Sequence, residues 1–472
     1  MAKDWLNELS NTSLRDVVTT AFSDDQFTYS ETLDFLEKAA VGGFSSSELE
    51  DLKLVYAQNA FEREYVKKIT YNVLYENEGN TYWWGGATKL DDVQTLGNAS
   101  GTTSEADAKL LIGKWFLGTD LPMPVSGGDT ANPDASAGVY EYGKLTGELF
   151  TGGINALDVN QGSAGTCYLI ATMDSIAYTN PSIIEDAFII NPNGTYGVKF
   201  YYGGETIYTT VNKSIPVTNW GKINYAGNVD KSLSGESWAA LMEKAYVQAN
   251  SQVNLQYEGS WTKGKSWAKV NGEWVYKYQD VENYRNSYKS LEGGWADPLL
   301  QVSGQSFDYW NYNSWGMAGE YNSLTSEKDY KQIKGDIVVA LEEGGIGWIA
   351  SWGASYRKDG EYSKTKTDGS KLELTGGHAF ALHSYDYESD TFLISNPWTE
   401  SKDWWTSDSS WTAYNTTFRL PIEFFWSDHF KPLIAITNPS STKKDFSYSI
   451  STAASSVEGA ALEDSTVTFT IT

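Results

Sequence analysis

A glycine-rich loop that runs without a break into an apolar helix constrains this 472-residue chain more than any other stretch. It reads Asp158-Val-Asn-Gln161-Gly-Ser-Ala-Gly-Thr-Cys167-Tyr-Leu-Ile-Ala-Thr-Met-Asp-Ser-Ile-Ala177, and Cys167, the single cysteine of the chain, is expected to open the helix. The positive end of a helix favours a thiolate, and a nearby imidazolium favours it further. A cysteine before an apolar run is ordinarily just a small buried hydrophobe. The flanking residues favour a nucleophile instead. Gln161 stands six positions earlier, across glycines that let the loop fold back. Its amide can then reach the oxyanion of an attacked carbonyl, with the Cys167 N–H as second donor.

A thiol nucleophile needs a base, and the chain has three histidines, His378, His383 and His429. His378 is the candidate base: it follows Gly376-Gly377, which permit close approach of another segment, and starts the strand-like run HAFALHSYDY. His383 is five residues on and would face the opposite side of a regular strand. His429, within FFWSDHFKP, suits a helix or a surface turn. Asn396 closes the strand-like run TFLIS and is the candidate to orient the imidazole through its other ring nitrogen. Pro397 turns the chain there, and Trp398 would shield the His-Asn pair from water.

One cysteine excludes a disulfide framework and a multi-thiolate metal site. A formal charge of −26 with no basic block excludes nucleic acid and anionic membrane as partners. No apolar run of about 18 residues occurs, and Met-Ala-Lys-Asp-Trp does not begin a signal peptide. A membrane span and Sec export are therefore not expected, leaving the cytoplasm or a non-Sec route.

The length calls for several folded units. Residues 1–76 read as a small helical region, a candidate prosegment or inhibitory module, with capping boxes at Thr28/Glu31 and Ser47/Glu50. Gly42 and Gly43 separate two helices, and from Ser47 the residues Leu49, Leu52, Tyr56, Phe61, Tyr65 and Ile69 make one apolar face. Residues 77–145 read as a linker with one embedded helix. From 146 to 438, strand-like runs such as YGVKFYYGG alternate with helices such as SWAALMEKAYVQAN, the pattern of an α+β fold. Residues 439–472 are a β-rich tail that resembles the start of a sandwich repeat from a longer protein.

Gln161-(x)5-Cys167, Gly-Gly-His378-Ala and Asn396-Pro-Trp398 occur in the order seen in the calpain family of cysteine peptidases, which the chain resembles over roughly 146–438. The segment Glu236-Ser-Trp238-Ala-Ala-Leu-Met-Glu243-Lys-Ala-Tyr246 is similar to a calpain helix, and Phe424, Trp426 and Phe430 continue the likeness. The resemblance implies a bacterial-type endopeptidase with a papain-like core, acting on proteins or peptides. Cys167 and Gln161 would lie in a first subdomain, 146–304, and His378 and Asn396 in a second, 305–438. Tyr168 replaces the usual Trp after the nucleophile, and an insertion is implied between about 250 and 330. Calcium aligns the subdomains of animal calpains. Asp158 matches one of their calcium positions, but its partner glutamate appears as Lys289; Asp403 and Asp408 lie near a second site. No cofactor is expected to be required, calcium included. Two rivals are a glycan-binding adhesin, suggested by Trp83-Trp84 and Trp404-Trp405, and a transglutaminase-like acyl transferase, against which Asn396 in place of Asp speaks.

Overall fold

The computed structural model describes residues 4–126, 138–253, 255, 263–270, 273–280, 285–311, 322–323, 327–351, 364–365, 371–372, 377–398, 417–420 and 432–439. His429, Asp403, Asp408, Trp404-Trp405, Phe424, Trp426, Phe430, Gly376 and the tail lie outside the described residues. Helix and sheet are mixed, as the α+β pattern anticipated.

The N-terminal region holds α1 (Thr12–Ala21), α2 (Tyr29–Ala39), α3 (Ser46–Ala57) and α4 (Glu64–Leu74). Thr28 and Glu31 form the expected reciprocal cap of α2. The cap of α3 differs from expectation. It is Ser45 with Glu48 rather than Ser47 with Glu50. Phe44 before the cap and Leu49 in the first turn are both buried in one core, which sets where the chain enters the helix. The apolar run after Ser47 is also two helices rather than one. Asn59 adopts the left-handed conformation, φ 55°, and Phe61 bridges to Phe27 before α4 begins.

Helix α5 (Glu105–Ile112) leads into a wide turn, Gly113–Leu117, that buries Trp115 and Phe116. Lys114 and Asp120 form a buried ion pair at 2.7 Å. These elements dock on a three-stranded antiparallel sheet of β1 (Phe188–Ile190), β2 (Tyr196–Tyr202) and β3 (Glu205–Val211). The Tyr65 hydroxyl lies 2.8 Å from Thr210 Oγ1 and accepts from Asn191 Nδ2 at 2.9 Å. Gln248 donates to the Asp120 carbonyl at 2.8 Å.

Helix α6 (Cys167–Thr179) is followed by α7 (Ser182–Ala187), and α8 (Trp238–Ala249) is buried at every residue. An antiparallel hairpin, Lys263–Val270 with Glu273–Asp280, lies within the stretch where an insertion was implied. Helix α9 (Pro298–Ser303) precedes the large sheet. Its strands are β4 (Phe307–Asn311), β5 (Asn322–Ser323), β6 (Gly347–Ser351), β7 (His378–Asp386), β8 (Thr391–Ser395), β9 (Thr417–Leu420) and β10 (Pro432–Thr437). The order is β5-β4-β10-β6-β7-β8-β9, antiparallel except between β4 and β5.

Side-chain alternation gives this sheet two apolar faces. Ile349, Phe380, Leu382, Ile394 and Ile434 join the core that includes Ile337, Val338 and Leu341 of α10 (Glu327–Glu342). Trp348, Ala379, Leu433 and Ala435 join the core around α6 and α8. Polar ties reinforce the second contact: Trp348 Nε1 donates to the Tyr168 carbonyl at 3.1 Å, and Ser175 Oγ donates to that of Gly347. Among the described residues no helix is long and apolar enough to cross a membrane.

Candidate active site

Cys167 is the first residue of α6, as its sequence context predicts. Thr166 precedes it as N-cap, and its hydroxyl donates to Glu243 Oε1 of α8 at 2.6 Å and accepts no N–H from the helix. The other Glu243 oxygen accepts from the Ala226 N–H at 2.8 Å. Burial pushes the Glu243 carboxyl up and lowers the Lys231 ammonium to about 7. Lys231 donates to the carbonyl of Asn160, beside Gln161, at 2.5 Å. The loop is thus held from beneath by a buried carboxylate at one end and an amine at the other. At Gly162 an added Cβ would sit 2.1 Å from the Asn224 carbonyl, so only glycine permits this close approach.

Glu243 belongs to a segment the sequence had singled out, but its contact with Thr166 was not foreseen. A charged Glu-Lys pair inside an otherwise apolar, fully buried helix was the available signal.

Gln161 Nε2 donates to the Ala164 carbonyl at 2.8 Å, and Oε1 is buried without a hydrogen-bond partner. A primary amide has a second hydrogen beyond the one given to Ala164. The Gln161 backbone N–H donates to the Pro397 carbonyl at 2.9 Å, which joins this loop to the Asn396-Pro-Trp398 turn.

His378 opens β7, and its residue is only 4% exposed. Its Nε2 lies 2.9 Å from Asn396 Oδ1, which also accepts from the Trp398 N–H at 3.0 Å. The second acceptor contact fixes the amide's orientation. The Trp398 ring covers the imidazole, with centroids 4.3 Å apart, and Phe380 meets it edge-on at 4.8 Å. Gly377 serves a purpose other than the close approach expected of it. Its Cβ position is open and φ is +65°, so it supplies a left-handed turn into the strand.

The backbone of Ala379, next to His378, is near enough to the Cys167 sulfur to favour its thiolate. With Nε2 on Asn396, Nδ1 is the other ring nitrogen of His378. Burial raises the Cys167 thiol above its ordinary value, an effect partly offset by backbone N–H groups, Ala379 first. Burial also lowers His378 to about 4, against the opposing hydrogen bond from Asn396. Each group alone is thus kept neutral. A proton passed from thiol to imidazole leaves the net charge of the site unchanged and creates two charges that stabilise each other.

A family model described as "Calpain family cysteine protease" matches residues 143–424, more than half of the chain. The chain belongs to the calpain family. Calpain clp-4 of Caenorhabditis elegans is 24% identical over 58% of this chain and 32% of its own length. The calpain-2 catalytic subunit of Bos taurus is 28% identical over 25% of this chain and 17% of its own. The calpain-type cysteine protease DEK1 of Zea mays is 26% identical over 56% of this chain and 10% of its own. The chain therefore spans a third or less of the length of these calpains.

Of the other calpain-based candidates, Asp158 caps its own short turn, accepting from the Asn155 N–H at 2.6 Å. It faces Glu236, whose carboxyl is raised to about 7, first by burial and also by Asp158. Glu236 accepts from the Thr151 N–H at 2.6 Å. Among the described residues no cluster of three or more metal-ligating side chains occurs. The Tyr168 ring, in place of Trp, is buried against Gly294. Trp84 is not a sugar-stacking platform, since it is buried with Met123 and Val125.

Proposed function

We propose that this calpain-family chain is a cysteine endopeptidase with Cys167 as nucleophile, His378 as base and acid, and Asn396 as the group orienting His378. The observation that carries the reading is the 2.9 Å His378-Asn396 contact under Trp398, beside Ala379, whose backbone favours the Cys167 thiolate. His378 takes the thiol proton as sulfur attacks the carbonyl carbon. The Gln161 amide and the Cys167 N–H hold the resulting oxyanion. His378 then protonates the leaving amine, and the acyl-enzyme is cleaved by water with His378 again as base. Proteins or peptides are the substrate class. The two walls of the cleft correspond to a papain-like division, with 146–304 on the cysteine side and 305–438 on the histidine side.

Asp158 and Glu236 do not make a good calcium site. They share a site where burial and the neighbouring carboxylate raise the Glu236 carboxyl, and each already accepts a backbone N–H. The halves are tied directly through Gln161-Pro397 and Trp348-Tyr168, so activity without calcium is the expected outcome. The test compares wild type with Cys167→Ala on casein and on a fluorogenic peptide library, each with calcium and with a chelator. Hydrolysis by wild type alone supports the reading, and equal activity of the two proteins would sink it. A requirement for calcium would overturn the metal-independent part.

A further inference from the structure

Asp174 lies seven residues along α6 from Cys167, which at about 3.6 residues per turn brings it back to nearly the same helix face. It is 4% exposed. Ser395 Oγ donates to Asp174 Oδ2 and lies 3.0 Å from His383 Nε2, which in turn is 3.6 Å from Asp174 Oδ1. Tyr178, one turn further along α6, sets its ring, tilted by 36°, with its centroid 4.2 Å from that of the His383 imidazole. Asp174 Oδ1 and His383 Nδ1 are buried without a hydrogen-bond partner.

The three residue types are those of a hydrolytic triad, but the arrangement is not one. The serine oxygen is enclosed between the other two groups, leaving no approach for a carbonyl. The cluster instead joins the elements that carry the catalytic groups. Ser395 immediately precedes Asn396, and His383 shares β7 with His378. His383 also sits where the β7/β8 register shifts, Leu382 pairing with Ile394 but Ser384 with Leu393. Such a bulge aims a side chain that a regular ladder would place differently. Burial raises Asp174 to about 7 and lowers His383 to about 4, so the cluster carries no net charge between those values. An apolar trio would still be less costly to bury. What hydrogen-bonded groups add is direction.

We propose that Asp174, Ser395 and His383 are positioning residues that fix α6 against β7 and β8, and with it the approach of the Cys167 sulfur to His378. This rests on Cys167 and His378 being the catalytic pair. Misplacing reacting groups by about 1 Å can cost on the order of a hundredfold in rate, so a brace two turns away can control turnover without touching substrate.

The test uses the full chain carrying Asp174→Val, Asp174→Asn, Ser395→Ala or Ser395→Thr. Asparagine keeps an acceptor for the serine and a donor for the imidazole, and threonine keeps the hydroxyl. Peptide-hydrolysis kcat and KM are measured with the melting temperature and the rate of iodoacetamide alkylation near pH 7. The label reads Cys167 alone, because it is the only thiol. Val and Ala are expected to lower kcat and alkylation at least about tenfold with KM within about twofold, while Asn and Thr restore both. Val and Ala variants that melt lower but keep wild-type kcat and alkylation would overturn the proposal. If Asp174→Val does not fold, the smaller Ser395→Ala deletion decides by the same criterion. An active Cys167→Ala would instead remove the catalytic pair itself; an inactive one beside a wild-type-like Ser395→Ala removes only the brace.

Discussion

Gln161 commits one amide hydrogen to Ala164; in the proposed role its other hydrogen binds the oxyanion, so its contribution should appear in the transition state more than in binding. Gln161→Ala is expected to lower kcat about 10²–10³-fold with KM little changed, measured on a fluorogenic peptide. An equal loss in KM alone would contradict that role. A second prediction follows from burial. His378 titrates near 4 in the fold against 6.5 as its ordinary value, so the unfolded chain binds the extra proton first. Its stabilising share is therefore present above about pH 6.5 and lost as pH falls toward 4. The wild-type melting temperature should drop across that interval, and less steeply in His378→Gln. At this scale the sequence was most legible where chemistry demands fixed local spacing. Cys167, Gln161, His378, Asn396 and Trp398 could be singled out as candidates because short motifs carry them. Asp174 and Ser395 were not legible as partners, being 221 positions apart; an aspartate inside the apolar run of α6 was the one visible trace.

Among the elements, the start of α2 was readable to the residue because a single Ser/Thr-x-x-Glu pattern precedes it. Two such patterns overlap at α3, Ser45 with Glu48 and Ser47 with Glu50, and local chemistry does not choose between them. Tertiary packing of Phe44 and Leu49 does. Ser45→Ala should destabilise the fold by about 1 kcal/mol in urea unfolding, whereas Ser47→Ala should be near neutral. The reverse order would show the cap misassigned. The apolar stripe from Leu49 to Ile69 persists through both α3 and α4, so its period reads as continuous and hides the Asn59 break between them.

At the scale of the whole molecule, the α+β character was legible from alternating helical and strand-like runs, but the sharing of one core between α6 and the large sheet was not. That core joins Tyr168 and Ile176 to Trp348 and Leu433, a long-range association with no local pattern. The docking of residues 4–126 on β2 and β3 is likewise non-local. A chain beginning at residue 146 would leave Tyr208 and Thr210 without Tyr65 and Trp115, which now bury them. It is expected to melt lower and be no more active than the full chain. A stable, more active truncation would mark the N-terminal region as a removable inhibitor. The pairing of Cys167 with His378 underlies every step proposed here, and the lone thiol makes it directly measurable. The measurement is the pH dependence of iodoacetamide alkylation in wild type and His378→Ala. Alkylation of wild type near pH 7 is predicted to be at least about tenfold faster, with the variant catching up only above the ordinary thiol value of about 8.5, because burial raises the unassisted thiol. Superimposable profiles would contradict the pairing.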